Sequence, residues 1–423
     1  MIQLARATIP NTCRDTYLII AAPGLKSSVS PLFSPLPHVV SPMIVRYFPY
    51  WLLKSIDAWT PDNRGGSRET TIFVADPVPI IPSATSPTLP ESPPMPKVLI
   101  APAPLANMTG SHLDVLTAAG FELVYPSVAR QMVESELLAI LPGVSAAVAG
   151  SEPYSRKVFE ANPQLKIVAR VGVGYDAVDV QAATDHGVVV ATVPGTNQDA
   201  VSEHGFMLIL ALAKHLMRQH PAIRDGGWPR QANVPLRGKT LGLAGLGRIG
   251  KSMTIRAEAF GMKVIAHDPF ADKVFAEQHG IALVSLEDLF RESDYVSLHM
   301  PLNPGTRKII NADMLKLMKP TSFLVNTARG SIIDEPALYE VLRDKKIAGA
   351  GLDVFDEEPP LKDNPILQLD NVVMTAHTAG VDQQSIADMA LLAAKCVAWI
   401  SKGEWPTECV VNPEVKAKFK WSV

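Results

Sequence analysis

Short apolar runs alternate with longer segments of helical periodicity from residue 95 onward. Such an alternation is typical of parallel strands that are buried on both faces and joined by crossover helices. The predicted strands are residues 95–101, 121–125, 146–149, 167–170 and 188–191, followed by 240–244, 263–266, 295–298, 322–326, 349–353 and 371–375. The chain is therefore predicted to form an α/β fold with two parallel sheets.

Two helical segments indicate how the two sheets are connected. The longest uninterrupted helical pattern, residues 199–214, lies between the two sets of strands, and residues 384–401 follow the last strand. We expect the first helix to join two domains and the last helix to return to the first domain. This predicts one domain over residues 95–198, completed by residues 384–423, and a second domain over residues 199–383.

A glycine-rich turn follows the first strand of the second set. It consists of Gly245, Leu246, Gly247, Arg248, Ile249 and Gly250. In this pattern the first glycine permits a tight turn, the second lets a pyrophosphate approach the backbone, and the third packs helix on strand. The phosphate charge then lies at the positive end of the following helix. We therefore predict a Rossmann-type doubly wound domain that binds a dinucleotide at these six residues. The first set of strands lacks the motif, and we predict that it forms a smaller, flavodoxin-like substrate domain.

An acidic residue after the next strand indicates which dinucleotide binds. Asp268 lies eighteen residues beyond Gly250. Its carboxylate can accept hydrogen bonds from ribose hydroxyls but would repel the 2′-phosphate of NADP. No Arg follows it directly, so NAD is the predicted cofactor.

Residues 1–94 differ in composition from the rest of the chain. They contain fifteen of its 36 prolines, a density that denies the backbone regular hydrogen-bond ladders. We predict a disordered extension or a wrongly placed start codon. The alternative is a mitochondrial targeting segment, because Arg6 and Arg14 precede the first acidic residue, although Pro10 interrupts the amphipathic helix that such a segment needs.

Composition narrows the range of partners. A net charge of −3 and 19% charged residues argue against a nucleic-acid surface, so the expected partners are a small substrate and a second copy of the chain, as a homodimer. Three cysteines without a CxxC motif fit a reducing compartment, taken as the cytoplasm, and predict no metal site. No apolar run is long enough for a membrane span, so no membrane contact is expected.

Three residues of complementary chemistry lie in the polar loops that follow the last three predicted strands. They are Arg329, Glu358 and His377. Ligands of open parallel sheets bind beyond the carboxyl ends of the strands, so these side chains are expected to meet there. Arg329 suits the carboxylate and carbonyl of a 2-oxo acid, and His377 suits proton transfer to that carbonyl during hydride transfer. Glu358 suits an imidazole that it holds in the charged form.

These segments resemble the D-isomer-specific 2-hydroxyacid dehydrogenases, a family that includes phosphoglycerate dehydrogenase and glyoxylate/hydroxypyruvate reductase. The similar segments are the glycine turn, residues 326–338, residues 351–359 and His377. The resemblance implies an NAD-dependent oxidoreductase in which Arg329, Glu358 and His377 are catalytic. It also implies a substrate loop at Val173 and Gly174, and cofactor contacts from Pro301, Thr306, Thr327 and Asp353, the last to the nicotinamide carboxamide.

Alternatives remain open on the substrate and on the activity itself. A formate dehydrogenase would place a Gln in the loop before the histidine, whereas Gln368 lies nine residues upstream, too far to serve. A co-repressor of the same fold would keep the NAD site and the three catalytic residue types but act as a scaffold. Phosphoglycerate enzymes often carry an Arg in the loop after the strand that here ends near Ala149. This chain has Glu152 in that loop, and an acid there opposes a phosphate-bearing substrate. Which 2-hydroxy acid reacts is not predicted.

Overall fold

The computed structural model describes residues 95–128 and 130–421. The extension predicted over residues 1–94 lies outside these residues.

The first part of the described chain forms a five-stranded parallel sheet. Its strand order is β2-β1-β3-β4-β5, a flavodoxin-like order in which the direction of winding reverses beside β1. The strands are β1 (Lys97–Ile100), β2 (Glu122–Val124), β3 (Val144–Ala149), β4 (Ile167–Arg170) and β5 (Val189–Ala191). The α-helices between them are α1 (Ser111–Ala118), α2 (Glu134–Ile140), α3 (Arg156–Ala161) and α4 (Val180–Asp185).

The second sheet has seven parallel strands in the order β12-β11-β10-β9-β6-β7-β8. Its winding reverses between β6 and β9, as in a doubly wound dinucleotide fold. The strands are β6 (Thr240–Ala244), β7 (Lys263–His267), β8 (Ala282–Leu283), β9 (Tyr295–Leu298), β10 (Phe323–Asn326), β11 (Gly349–Leu352) and β12 (Val372–Met374). The associated helices are α5 (Gln198–Ala213), α6 (Leu216–Arg224), α7 (Arg248–Ala259), α8 (Lys273–Gln278), α9 (Leu286–Glu292), α10 (Ala312–Lys316) and α11 (Glu335–Arg343).

Both sheets are covered on both faces, as the burial of their strands shows. All residues of β3, β4, β9 and β10 are buried, so these strands lack the apolar–polar alternation of a half-exposed sheet. Two apolar clusters flank each sheet, one on either face. The ends of the strands are the places where polar side chains can gather.

The last long helix, α12 (Gln383–Ser401), packs on the first sheet although it follows the last strand of the second. Met389 and Val397 of this helix belong to one apolar cluster with Val98 of β1. Beyond the helix, the fully buried Asn412 accepts a hydrogen bond from the backbone of β5 and donates one to the residue before that strand. The domain boundaries given above stay a prediction.

The predicted α/β class with two parallel sheets is confirmed, whereas the bounds of single elements differ. β4, β6 and β9 have the predicted bounds, but β1 is shorter because Pro96 and Pro102, which lack an amide hydrogen, flank it. The sequence pattern does not predict α6, which contains Pro221, or the two-residue β8. None of the helices in the described part of the chain is long and apolar enough to span a bilayer.

Candidate active site

The glycine turn connects β6 to α7, and its three glycines are required for different reasons. A Cβ at Gly245, where φ is 111°, would lie 2.8 Å from the carbonyl carbon of His299. A Cβ at Gly250 would lie 2.3 Å from the carbonyl oxygen of Gly245. At Gly247 an added Cβ would meet no atom within 4 Å, so the space above this residue is open. Open space over the second glycine fits a pyrophosphate approaching the backbone.

The other residues of the turn are placed around that opening. Leu246 is buried in the core of the second sheet, Arg248 is exposed at the first turn of α7, and Ile249 is half-buried. The turn therefore places a helix N-terminus beside the open space, with a cation in the first turn of that helix, which suits a phosphate.

Asp268 lies beyond the end of β7, beside the glycine turn. Its Oδ2 accepts a hydrogen bond from the amide of Leu246 at 2.8 Å, and its Oδ1 accepts one from the amide of Phe270 at 2.8 Å. These two bonds fix the carboxylate at the edge of the turn while leaving lone pairs on both oxygens. A ribose hydroxyl beside the turn could be bound by the remaining lone pairs.

Two further predicted cofactor contacts lie on loops after β9 and β10. The Thr306 hydroxyl donates to the carbonyl oxygen of Pro301 at 2.6 Å, which closes the loop after β9 on itself. The Thr327 hydroxyl follows β10, is buried and has no hydrogen-bond partner among the described residues. A polar group of a bound cofactor would satisfy this hydroxyl.

The loop after β4 carries Val173 and Gly174, the predicted substrate loop, above a buried arginine. Arg170 ends β4 and donates from Nε to the carbonyl oxygen of Gly174 at 3.0 Å. Burial lowers the pKa of Arg170; the carboxylate of Glu152 opposes that shift, and the cation of Arg329 adds to it. Burial in turn raises the pKa of Glu152, whose side chain accepts a hydrogen bond from the amide of Gly150. Val173 is exposed, so the upper face of this loop is open.

Arg329, after β10, reaches the same loop. Its Nε donates to Oδ2 of Asp176 at 2.5 Å, and one terminal nitrogen donates to the carbonyl oxygen of Ala328 at 2.6 Å. Its other terminal nitrogen lies so close to Gly174 that a Cβ there would be 1.4 Å away. The guanidinium thus rests on the backbone of the predicted substrate loop.

Glu358 and His377 form a hydrogen-bonded pair beyond β11 and β12. Nδ1 of His377 lies 2.6 Å from Oε2 of Glu358, while Oε1 of Glu358 accepts from the amide of Phe355 at 3.0 Å. Burial by itself raises the pKa of Glu358, but the hydrogen bond and charge of His377, the Phe355 amide and the charge of Arg329 together bring it below its usual value. Glu358 is therefore a carboxylate at neutral pH, oriented toward the imidazole.

Asp353 is 1% exposed and organises the loop that carries His377. Its carboxylate accepts hydrogen bonds from the Thr375 hydroxyl at 2.6 Å and from the amides of Thr378 and Ala379 at 2.9 Å each. Its oxygens keep further lone pairs, so the predicted contact to a nicotinamide carboxamide stays a prediction.

The structure brings the predicted residues of three strand ends together, because β10, β11 and β12 are neighbours in the second sheet. Sequence reasoning missed Asp176 and Arg170. Arg170 has the signal of a charged residue at the end of a fully buried strand, and Asp176 follows the last glycine of the loop by two residues. Arg170 ends β4 and Asp176 lies in the loop after it, so both belong to the first sheet, whereas the predicted catalytic residues follow strands of the second.

Comparison with known proteins agrees with this geometry. Residues 206–379 match the family model described as D-isomer specific 2-hydroxyacid dehydrogenase, NAD binding domain. The chain is 38% identical over 274 residues to glyoxylate reductase of Korarchaeum cryptofilum, covering 63% of this chain and 82% of that protein. It is 39% identical over 292 residues to D-3-phosphoglycerate dehydrogenase of Methanocaldococcus jannaschii, covering 68% of this chain and 56% of that protein.

A solved structure shows the same fold. The D-lactate dehydrogenase of Aquifex aeolicus, complexed with NAD and lactic acid, superimposes with a TM-score of 0.67 at 27% identity and covers 74% of this chain and 98% of that one. The class defined by fold and site is thus that of the NAD-binding oxidoreductases. Within this class, the chain belongs to the D-isomer-specific 2-hydroxyacid dehydrogenase family. It spans between 46% and 60% of the length of the phosphoglycerate dehydrogenases that it matches.

Proposed function

We propose that this protein is an NADH-dependent reductase of small, unphosphorylated 2-oxo acids, and in reverse a dehydrogenase of the corresponding D-2-hydroxy acids. The observation that carries the proposal is the 2.6 Å hydrogen bond between His377 and Glu358, on strand ends adjacent to the one that carries Arg329. The bound cofactor supplies the hydride that reaches the carbonyl carbon.

His377 supplies the proton in this reaction. Because Nδ1 faces Glu358, Nε2 is the ring nitrogen left to face the substrate. Nε2 gives its proton to the carbonyl oxygen as the carbon is reduced and takes it back in the oxidation. The carboxylate of Glu358 offsets the charge of the imidazolium and holds the ring in one orientation.

Arg329 and the substrate loop bind the carboxylate and the carbonyl oxygen of the 2-oxo acid. Arg329 has five N–H donors, of which two bond Asp176 and Ala328, so three remain for a carboxylate and a carbonyl. The backbone at Gly174 lies against the same guanidinium, and the amides near Val173 and Gly174 would donate hydrogen bonds to the carboxylate. A 2-oxo acid is held at both its carboxylate and its carbonyl by this arrangement.

The charges around the loop favour a substrate without phosphate. Arg170 donates one hydrogen bond, from Nε, to Gly174 and lies in the field of Glu152, and Arg329 is paired with Asp176. A phosphate dianion would lie in the field of the carboxylates of Glu152 and Asp176, a like-charge arrangement that costs affinity. We therefore expect glyoxylate or hydroxypyruvate to be reduced with a kcat/KM at least about tenfold above that of phosphohydroxypyruvate. Equal values for the phosphorylated and unphosphorylated acids would contradict this assignment.

We also propose that the protein is a homodimer, formed around an apolar groove between α5 and α7. Phe206, Met207, Leu210 and Phe260 line the groove, and Met217 on the neighbouring α6 is 57% exposed. A second copy would bury this surface, so Met207→Lys, which changes a groove residue that is 42% exposed, should shift the species seen by analytical ultracentrifugation from dimer to monomer. A monomeric parent protein would contradict the proposal.

A cytoplasmic location is proposed from the thiols. Cys396 and Cys409 are both buried and free, as is usual for proteins of a reducing compartment. Fractionation of cells that express the tagged full-length chain tests this, and recovery of the protein in the mitochondrial fraction would favour the targeting alternative.

Turnover tests the main proposal. NADH oxidation is measured with a panel of 2-oxo acids that includes glyoxylate, hydroxypyruvate, pyruvate and phosphohydroxypyruvate. We expect turnover with at least one unphosphorylated acid. Tight NADH binding without turnover of any acid would favour the scaffold alternative. That alternative calls for an apolar groove on the first domain, whereas the groove described above lies on α5 and α7.

A further inference from the structure

Asp176 and Arg329 connect the loops of the two sheets. Asp176 lies on the loop after β4 of the first sheet, and Arg329 lies after β10 of the second. Their bond, 2.5 Å from Nε to Oδ2, is the one side-chain hydrogen bond or ion pair between these two sets of loops in the described chain. The side chain of Arg329 is 27% exposed and that of Asp176 is 41% exposed, so the pair lies at the rim of the substrate site.

The bond to Asp176 determines which edge of the guanidinium remains available. Nε bonds Asp176, one terminal nitrogen bonds the carbonyl of Ala328, and the other terminal nitrogen lies against Gly174. A guanidinium is planar, so two fixed nitrogens also fix the direction of the remaining N–H groups. Without Asp176, the anchor on Ala328 alone would leave the side chain free to rotate away from the loop.

A second cation makes this anchor necessary. The guanidinium of Arg170, buried beneath Gly174, lies within electrostatic reach of Arg329. Like charges at this range repel each other, and the effect is stronger at a buried site than in water. The carboxylates that offset the pair are Glu152, on the side of Arg170, and Asp176 and Glu358, on the side of Arg329, of which Asp176 is hydrogen-bonded to the guanidinium. Asp176 thus supplies both the orientation and the charge that keep Arg329 on the substrate loop.

We propose that Asp176 is a positioning residue that holds Arg329 on the substrate loop in the geometry that binds the 2-oxo acid. The inference rests on the proposed function, since it concerns the arginine assigned to the substrate. Asp176 acts through Arg329 and does not itself contact the reacting atoms. The Asp176 carboxylate thus favours substrate binding and does not compete with the substrate for Arg329.

Steady-state kinetics of Asp176→Asn and Asp176→Ala test the proposal. With glyoxylate as the varied substrate, Asp176→Ala should raise KM by about 10- to 100-fold, and Asp176→Asn, which keeps an acceptor oxygen, should raise it less. The KM for NADH should stay within about twofold, because neither residue lies at the glycine turn. Asp185→Asn is the matched control: it removes the same charge from an ion pair with Arg156, on α3 and α4, and should leave all constants within about twofold.

A double-mutant cycle separates positioning from an independent role. A lysine at position 329 has no guanidinium edge that Asp176 could hold. In the Arg329→Lys background, adding Asp176→Asn should therefore raise the KM for glyoxylate by less than about twofold further. The same fold-increase in KM in both backgrounds would overturn the proposal, because Asp176 would then act without Arg329. A lower KM in Asp176→Ala would overturn it as well, since the carboxylate would then compete with the substrate.

Failure of the proposed function gives a different result. In that case the parent protein oxidises NADH with none of the 2-oxo acids, and the inference falls with it. A parent that is active, with Asp176 variants identical to it, overturns the inference alone.

Discussion

The amide of His377 donates a hydrogen bond of 2.8 Å to the carbonyl oxygen of Asp353. His377 has a φ of 53°, in the left-handed region that residues other than glycine rarely adopt. The Asp353 carboxylate binds the two amides that follow the histidine, so the backbone around it is held on both sides. A side chain placed in this way needs only one further partner to fix the ring, and that partner is Glu358.

The charge of Glu358 should control the pH range of reduction. Because the pKa of Glu358 lies below its usual value, its side chain is ionised throughout the neutral range and stabilises the protonated imidazole. Glu358→Gln keeps a hydrogen-bonding group but removes the negative charge that faces Nδ1 of His377. The basic limb of the kcat/KM profile for reduction should move down by about one pH unit or more.

Glu357→Gln is the control for that experiment. Glu357 is the exposed neighbour of Glu358, and its substitution should leave the profile unchanged. Asp356 bonds Ser331 and is not available to the imidazole in this geometry. A basic limb that stays in place in Glu358→Gln would show that another group controls the proton of His377.

The preference for NAD should depend on Asp268. A 2′-phosphate beside this carboxylate would be a like-charge contact that can cost several kcal/mol, so we expect NADH to be preferred over NADPH by about 10²-fold or more in kcat/KM. Asp268→Ala should narrow that ratio, chiefly by raising KM for NADH. The alanine variant also loses the hydrogen bonds that the Asp268 carboxylate accepts from the amides of Leu246 and Phe270. Asp268→Asn is therefore compared in parallel. Equal efficiency with the two cofactors in the parent would refute the assignment.

The glycine turn allows cofactor binding to be separated from stability. Gly247→Ala adds a methyl group into open space at a φ of −73°, so the free energy of unfolding should change by less than about 1 kcal/mol. The same methyl would obstruct a pyrophosphate, and the Kd of NADH from fluorescence titration should rise at least about tenfold.

Gly250→Ala is the contrasting variant, because its Cβ would lie 2.3 Å from a backbone oxygen. It should lower the melting temperature in the absence of cofactor. If Gly247→Ala binds NADH as tightly as the parent, the cofactor does not approach the turn at this residue.

The sequence contained enough information to predict the second sheet and its site, and less for the first. Buried parallel strands produce uninterrupted apolar runs, and polar residues directly after them mark the ligand edge, which is why Arg329, Glu358 and His377 are predictable. Asp176 is not predictable in this way, because its role depends on a bond to a residue 153 positions away. In the sequence, Arg170 is only the last residue of a predicted strand. Its contact with the substrate loop is evident only in the structure, where it is buried and bonds the carbonyl oxygen of Gly174.

The exchange of a proton at His377 during reduction of a 2-oxo acid is the central claim. It is tested most directly by NADH oxidation with glyoxylate and hydroxypyruvate, comparing the parent protein with His377→Ala, while NADH binding is followed by fluorescence. We expect the parent to turn over at least one of the two acids, and His377→Ala to lose on the order of 10² to 10⁴ in kcat at every pH. The Kd of NADH should stay within about twofold, because the imidazole is not assigned to phosphate or ribose. A His377→Ala variant that reduces the acid as fast as the parent would contradict the account.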